Sequence, residues 1–303
     1  MRENKASNTA LVVAAGLQLA TATPSLGHLM PLEAIRRGAD LLRAAHPHMA
    51  ALLPKAWFRR LALSLERATL PGISLHFALR KRRLRQHAQD AIDSQAAARS
   101  WCSAPGFDTL CAELLAAHPE LCCIEIDHPA TQRVKRAAVG ASGQGVHFIG
   151  VDLAQQALAG VLAYCCAVFD SRVPTLFVAE GLLMYVPPDA VATLFRQMAT
   201  AAPDCRVAFT WLEPQAMRKP NFRHRSRLID CWLALRGEPF MSGMLRTALP
   251  AFLAQHGFTF GADCESADLL SPAEQAAIGA GGMPLGGEYM CYAYTTLTSR
   301  SSS

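Results

Sequence analysis

Three acidic residues, Asp127, Asp152 and Glu180, each close a short apolar run: Ile124-Glu125-Ile126-Asp127, Phe148-Ile149-Gly150-Val151-Asp152 and Leu176-Phe177-Val178-Ala179-Glu180. In an open α/β sheet, ligands bind where the strands end. The three acids are therefore candidates for a single ligand edge. Asp127 stands about 20 residues beyond Gly106, and its two oxygens suit the vicinal hydroxyls of a ribose. The alternative for Asp127 is a cap on the following helix, which Pro129 supports; the two roles are compatible. Asp152 is placed either to meet the exocyclic amine of an adenine or to cap a helix. Glu180 follows four apolar residues, and a carboxylate buried there needs a partner, for which a cationic ligand would serve. Arg80 offers a two-pronged grip on a ligand carboxylate, with Arg82 and Arg83 of the same run as alternatives. The turn Ser103-Ala104-Pro105-Gly106-Phe107-Asp108 is built of small residues that let backbone approach a ligand closely.

These residues need elements to hold them. Residues 10–92 read as helical, from Leu32, Ile35, Leu41 and Leu42 through Trp57, Leu61, Leu63 and Leu65 to a helix over 80–92. Ile73–Phe77 is the one stretch there with strand character. An amphipathic first helix is expected, capped by Asn8 or Thr9. Its competitor is a signal peptide, suggested by Arg2 and Lys5 before Ala10–Ala20. From residue 99 short apolar runs alternate with helical stretches. Strands are expected at 100–104, 122–127, 146–151, 175–178 and 207–211, and helices at 110–117, 129–138 and 189–202. Such alternation predicts a doubly wound, mostly parallel α/β sheet. Two late strands, around 258–260 and 289–297, add an antiparallel edge. The domain reading is an N-terminal helical segment, 1–92, packing on a core, 93–303. The core carries a helical lid insertion, 213–250, which holds Arg218, Lys219, Arg223, His224, Arg225 and Arg227.

The chain has 303 residues, 51% of them hydrophobic and 17% charged, with a net charge of +5. That composition argues against disorder. It is too mildly basic for a chain organised around nucleic acid, and a bland solvated helix face accounts for the run Arg80–Arg85. The ten cysteines show no C-x-x-C pair, so no metal site or redox motif is expected. Cys122-Cys123 and Cys165-Cys166 lie in apolar runs as small hydrophobes, which points to a reducing, cytoplasmic compartment. No stretch is long enough to span a membrane.

The runs Gly106-Phe107-Asp108-Thr109, Glu125-Ile126-Asp127-His128-Pro129-Ala130-Thr131-Gln132 and Ala179-Glu180-Gly181-Leu182-Leu183-Met184-Tyr185 resemble the leucine carboxyl methyltransferase family. The likeness is to its bacterial branch of S-adenosylmethionine-dependent methyltransferases. The resemblance implies a Rossmann-like methyltransferase fold with S-adenosylmethionine as cofactor. It implies that Arg80 binds the methionine carboxylate and Gly106 ends the first-strand loop. Asp127 would then hold the ribose, Asp152 lie near the adenine and Glu180 lie beside the methionine end. Tyr185 is a candidate for the acceptor pocket, and Arg223 in the lid is a second. The family pattern has Gly-Ala-Gly where this chain has Ala104-Pro105-Gly106. Ala104 adds a Cβ at a close approach and costs about 1 kcal/mol or more if the position is left-handed; Pro105 removes an N–H.

The expected activity is O-methyl transfer to a carboxylate or hydroxyl of a small molecule or peptide, with neither nucleic acid nor membrane as partner. A carboxylate acceptor needs no general base. For a hydroxyl, His128, His224 and Glu180 are candidates, and none is singled out. The alternatives are a non-catalytic or weakly active homologue of the same fold, drawn from Ala104-Pro105, and a nicotinamide-dependent oxidoreductase. Methylation of nucleic acid lacks an Asn-Pro-Pro-Tyr-like motif at the fourth strand.

Overall fold

Residues 7–22, 26–94, 99–103, 106–153, 156, 158, 160–161, 169, 171–215, 219–223, 226–278 and 283–295 are described by a computed structural model, with the side chains of 99–103, 141, 142 and 227 left aside. Seven strands form one sheet: β1 Arg99–Ser103, β2 Cys122–Asp127, β3 Val146–Gly150, β4 Thr175–Ala179, β5 Cys205–Leu212, β6 Thr259–Glu265 and β7 Glu288–Tyr294. Their order across the sheet is β3-β2-β1-β4-β5-β7-β6. The first five run parallel, and β7 is antiparallel to both β5 and β6. This is the doubly wound sheet with a late antiparallel pair that the sequence pattern predicts.

Alternate residues of each central strand face opposite layers. Ile124, Ile126, Phe177, Ala179, Val207 and Phe209 pack into one core, while Cys123, Leu176, Val178 and Ala208 pack into another. Both faces are buried, which is why these strands read as continuous apolar runs. The helices are α1 Asn8–Thr21, α2 Leu32–Ala45, α3 Pro47–Leu52, α4 Ala56–Thr69, α5 Ile73–Asp93, α6 Leu110–Ala117, α7 Pro129–Val139, α8 Pro188–Thr200, α9 Arg227–Arg236, α10 Leu249–Gln255 and α11 Pro272–Ile278. Helices α5 and α6 cover the face of Cys123 and Leu176, through Leu84, Ala88, Leu110 and Leu114; α8 and α10 cover the other, through Val191, Phe195, Leu249 and Leu253.

Two local expectations change. Ile73–Phe77 is not a strand but the first turn and a half of α5. All five of its residues are buried, and a helix buried all round shows no polar face to give away its period. Helix α1 is capped by Ser7, whose hydroxyl accepts from the Ala10 N–H, rather than by Asn8 or Thr9. Ala14, Ala15, Leu17 and Ala20 of α1 are buried against its neighbours. Cysteines 111, 122, 123, 205, 231, 264 and 291 are in no disulfide; Cys165 and Cys166 lie outside the described residues. Among the described residues no helix is long and apolar enough to cross a membrane. Among its described residues, the segment 213–250 holds α9, a 3-10 turn at Arg246–Ala248 and the first two residues of α10; Arg218, His224 and Arg225 lie outside the described residues.

Candidate functional site

The strand order reverses between β1 and β4, and ligands of open α/β sheets bind outside the strand ends at such a switch point. Register sets the geometry there. Ser103, the last residue of β1, pairs with Ile126 on one side and Ala179 on the other. Asp127 and Glu180 are the next residues along their strands. They flank the β1 exit about 10 Å apart, two strand spacings. Asp152 lies two residues beyond Gly150, the register partner of Asp127, and the Val151 N–H donates to the Asp127 carbonyl at 2.8 Å.

Asp127 is buried, with its carboxylate turned to the first loop. Its Oδ2 accepts from the Gly106 N–H at 2.8 Å and its Oδ1 from the His128 N–H at 2.6 Å. Among the described residues no cation forms an ion pair with it. Burial therefore dominates, against the pull of the two backbone N–H groups, and raises its pKa to about 6. The cap of α7 is not Asp127 but His128, whose ring Nδ1 accepts from the Ala130 N–H at 3.3 Å, with Pro129 in the first turn. Gly106 sits at φ +53°, and a Cβ there would lie 2.9 Å from the Ala10 Cβ of α1. Glycine is thus required both for the left-handed turn and for the approach of α1. Helix α1 roofs this edge: the Ser7 N–H donates to Thr131 Oγ1 at 3.1 Å, and Thr9 binds buried Glu238 through its N–H and hydroxyl. Ala104 and Pro105 lie outside the described residues.

On the β4 side, charge is concentrated. Arg80 points inward from α5 and is 5% exposed. Its Nε and NH2 reach Glu180 at 3.0 Å, and its NH1 reaches both oxygens of Glu288 at 3.0 and 3.2 Å. Lys81 bridges Glu180 at 3.0 Å and Asp108 at 2.9 Å, and Arg85 joins Asp108 at 3.1 Å and Glu113 at 2.7 Å. Asp108 is held well below the usual carboxylate range because Lys81 and Arg85 overcome the opposing effect of burial. The partner that a buried Glu180 needs is thus supplied by the protein itself. Arg82 and Arg83 point elsewhere: Arg82 binds Glu274, and Arg83 binds Gln86. Gly181, at φ +59°, turns the chain after Glu180 so that its N–H donates to Thr210 Oγ1 at 2.9 Å.

Gly106, Asp127, Glu180 and Arg80 therefore converge on the ends of β1, β2 and β4, with Asp152 at the next strand end. Tyr185 is half-buried; its ring lies 5.4 Å from that of Phe240, and burial pushes its hydroxyl pKa up. Arg223 is held apart from the Arg80 cluster, by Glu265 at 2.7 Å, Tyr289 at 2.8 Å and Glu213 at 3.5 Å. Three residues of the cluster carried too little signal in the sequence: Lys81 and Asp108 looked like parts of a charge run and a turn, and Glu288 falls just before the late strand expected at 289–297. A cavity of about 60 Å³ next to Asp108, walled by Arg37, Glu125, Lys135 and Phe148, is too small for a nucleoside.

Comparison with known proteins fits this arrangement. A segment of 96 residues is 38% identical to a protein of Mycobacterium marinum, covering 30% of this chain and 31% of that one. A segment of 98 residues is 34% identical to one of Mycolicibacterium vanbaalenii, covering 31% of each. Both are provisionally named S-adenosyl-L-methionine-dependent methyltransferases. The chain thus matches about a third of the length of these curated relatives. In fold it is similar to a crystal structure from Thermobifida fusca, provisionally named a methyltransferase, with a TM-score of 0.58 at 13% identity over 85% of this chain and 94% of that one. The sequence signature of leucine carboxyl methyltransferases matches residues 37–199, more than half of the molecule and every described strand of the parallel sheet but one, so the chain belongs to the leucine carboxyl methyltransferase family.

Proposed function

We propose that this protein is an S-adenosylmethionine-dependent O-methyltransferase acting on a carboxylate or hydroxyl of a small molecule or peptide. The observation that carries the reading is Asp127: a buried carboxylate without an ion-pair partner among the described residues, aimed at a glycine turn where β1 leaves the sheet. Neutral donors such as the two ribose hydroxyls satisfy such a group without the second charge that its surroundings lack. The residues present fit the cofactor: Asp127 for the ribose, Asp152 for the adenine amine, Gly106 for close backbone approach, Arg80 and Glu180 for the charged amino-acid end.

When bound, S-adenosylmethionine supplies a methyl group already activated by its sulfonium charge. The work left to the chain is positioning and exclusion of water, which contribute roughly 7–11 kcal/mol to such displacements. Helix α1 excludes water by closing over Gly106, and Tyr185 with Phe240 lines the approach for the acceptor. Two of the three candidate bases are otherwise engaged: His128 caps α7, and Glu180 is shared by Arg80 and Lys81, while His224 lies outside the described residues. That favours an acceptor which is already ionised, a carboxylate, since it needs no base. Arg223, locked by Glu213 and Glu265, serves this reading as a brace for the β5–β7 end of the sheet rather than as an acceptor contact.

The test is calorimetric titration of the purified protein with S-adenosylmethionine and S-adenosylhomocysteine, followed by transfer of labelled methyl to panels of carboxylic acids and alcohols. Saturable binding and labelled esters support the reading. No binding at millimolar cofactor refutes it in favour of the second reading, a homologue without methyl transfer, for which Ala104-Pro105 in the first loop speaks. In that case Ala104→Gly with Pro105→Ala should restore binding.

A further inference from the structure

We infer that Glu288 is a positioning residue for the Arg80 guanidinium, and that it makes Arg80 competent to grip the carboxylate of an amino-acid-bearing ligand. The inference rests on the cofactor reading above and goes beyond it, since Glu288 belongs to none of the motifs that the reading uses.

Arginine has a long, flexible side chain, and a two-pronged contact with a carboxylate requires its plane to be fixed. Glu180 holds one edge of Arg80 through Nε and NH2. Glu180 is also claimed by Lys81, at 3.0 and 3.2 Å, so it cannot fix the plane alone. Glu288 holds the third nitrogen: both of its oxygens lie within 3.2 Å of NH1. Glu288 is 0% exposed, so it cannot swing into solvent, and besides Arg80 it is held by His76 and Thr210. His76 Nε2 lies 2.6 Å from Oε2, and Ser266 Oγ lies 2.7 Å from His76 Nδ1. The Thr210 hydroxyl also binds the carboxylate, while its oxygen accepts the Gly181 N–H. Glu288 thus ties Arg80 to the turn that follows Glu180, the same turn that shapes the β4 edge. Burial would raise its pKa, but Arg80 and His76 outweigh burial and hold it at about 2, so it stays charged across the working range.

Antiparallel pairing explains its location. Glu288 is the first residue of β7 and pairs with Leu212, the last residue of β5. A residue at the start of an antiparallel strand therefore sits at the ligand edge of a parallel sheet. The charges also balance. Leaving His76 aside, Glu288, Glu180, Asp108 and Glu113 face Arg80, Lys81 and Arg85, an excess of one negative charge. A ligand joining an amino-acid zwitterion to a sulfonium brings one positive charge.

The experiment compares two ligands on the full chain by calorimetry. S-adenosylhomocysteine has the amino-acid end; 5′-methylthioadenosine has the nucleoside without it. Glu288→Gln keeps the side-chain shape and removes the charge. The expected result is S-adenosylhomocysteine binding weakened about tenfold or more, the range for a charge-assisted hydrogen bond, with 5′-methylthioadenosine within about twofold of wild type. Glu288→Asp should recover part of the selective loss. If Glu288→Gln does not fold, His76→Leu, which releases Glu288 from one side, should give a smaller loss with the same selectivity. Equal weakening of both ligands, or no change in either, overturns the positioning role. Wild-type protein that binds the two ligands equally, or neither, overturns the assignment of Arg80 on which it rests.

Discussion

Replacing Asp127 with asparagine keeps the outline of the side chain, removes its charge and separates stability from binding. In the native chain Oδ1 and Oδ2 accept one backbone N–H each, from His128 and Gly106. An amide has one acceptor end, so whichever way it flips, one of these N–H groups faces a donor, at a cost of about 1–3 kcal/mol. Against that stands relief of the buried charge. A carboxyl raised to about 6 in the fold, against about 4 unfolded, is protonated first in the native state, so its cost is absent below about pH 4 and complete above about pH 6. The cost at neutral pH is about 3 kcal/mol. Asp127→Asn should therefore lose about 1–3 kcal/mol near pH 4, and at about pH 8 should lose nothing or gain up to about 2 kcal/mol. Urea unfolding at the two pH values measures this. Affinity should move the other way. The ribose hydroxyls lose a charged acceptor, and S-adenosylhomocysteine should bind roughly 10- to 100-fold more weakly at about pH 8. Wild-type affinity should also decline as pH falls through about 6, whereas that of the variant should not. Unchanged affinity in Asp127→Asn would refute the ribose role. Equal destabilisation at both pH values would refute the burial argument.

Gly106→Ala should cost about 1–2 kcal/mol from its left-handed φ, and more as its Cβ displaces Ala10; a lower urea midpoint together with weaker S-adenosylhomocysteine binding would show that α1 roofs the site. Lys135→Met leaves Glu125 buried without its partner at 2.6 Å and should cost about 3–5 kcal/mol, while the double variant with Glu125→Gln should recover most of that loss in a double-mutant cycle. Glu288 and Glu274 are both depressed to about 2, so their stabilising contribution is full above the usual carboxylate range near 4.5 and is lost as pH falls towards 2. Acid unfolding should steepen below about pH 4.5, less so in Glu288→Gln, as followed by circular dichroism.

The central strands β2, β4 and β5 were legible because both of their faces are buried, and the runs of β2 and β4 lead directly into the acids Asp127 and Glu180. Cys122–Asp127, Leu110–Ala117 and the antiparallel late pair follow from residue pattern alone. The same local order put Asp127, Asp152 and Glu180 at neighbouring strand ends, because parallel strands align their carboxyl ends whatever lies between them. Helix α5 was misread at Ile73–Phe77 since burial on every side erases the polar stripe by which a helix is recognised.

Which side chains meet within that edge is a different matter. The choice of Arg80 over Arg82 and Arg83 depends on which side of α5 faces the sheet, and that follows from packing against β4 and β5. The bond from Arg80 to Glu288 joins residues 208 apart, and the bond from Thr9 to Glu238 joins residues 229 apart; no local pattern encodes either. Periodicity and strand-end chemistry act over a few residues, so the chain alone could name the fold and the acids of the edge. Partners of buried charges are selected by desolvation in the assembled core, where a carboxylate without a cation or donor is too costly to keep, and only the tertiary structure decides which cation arrives.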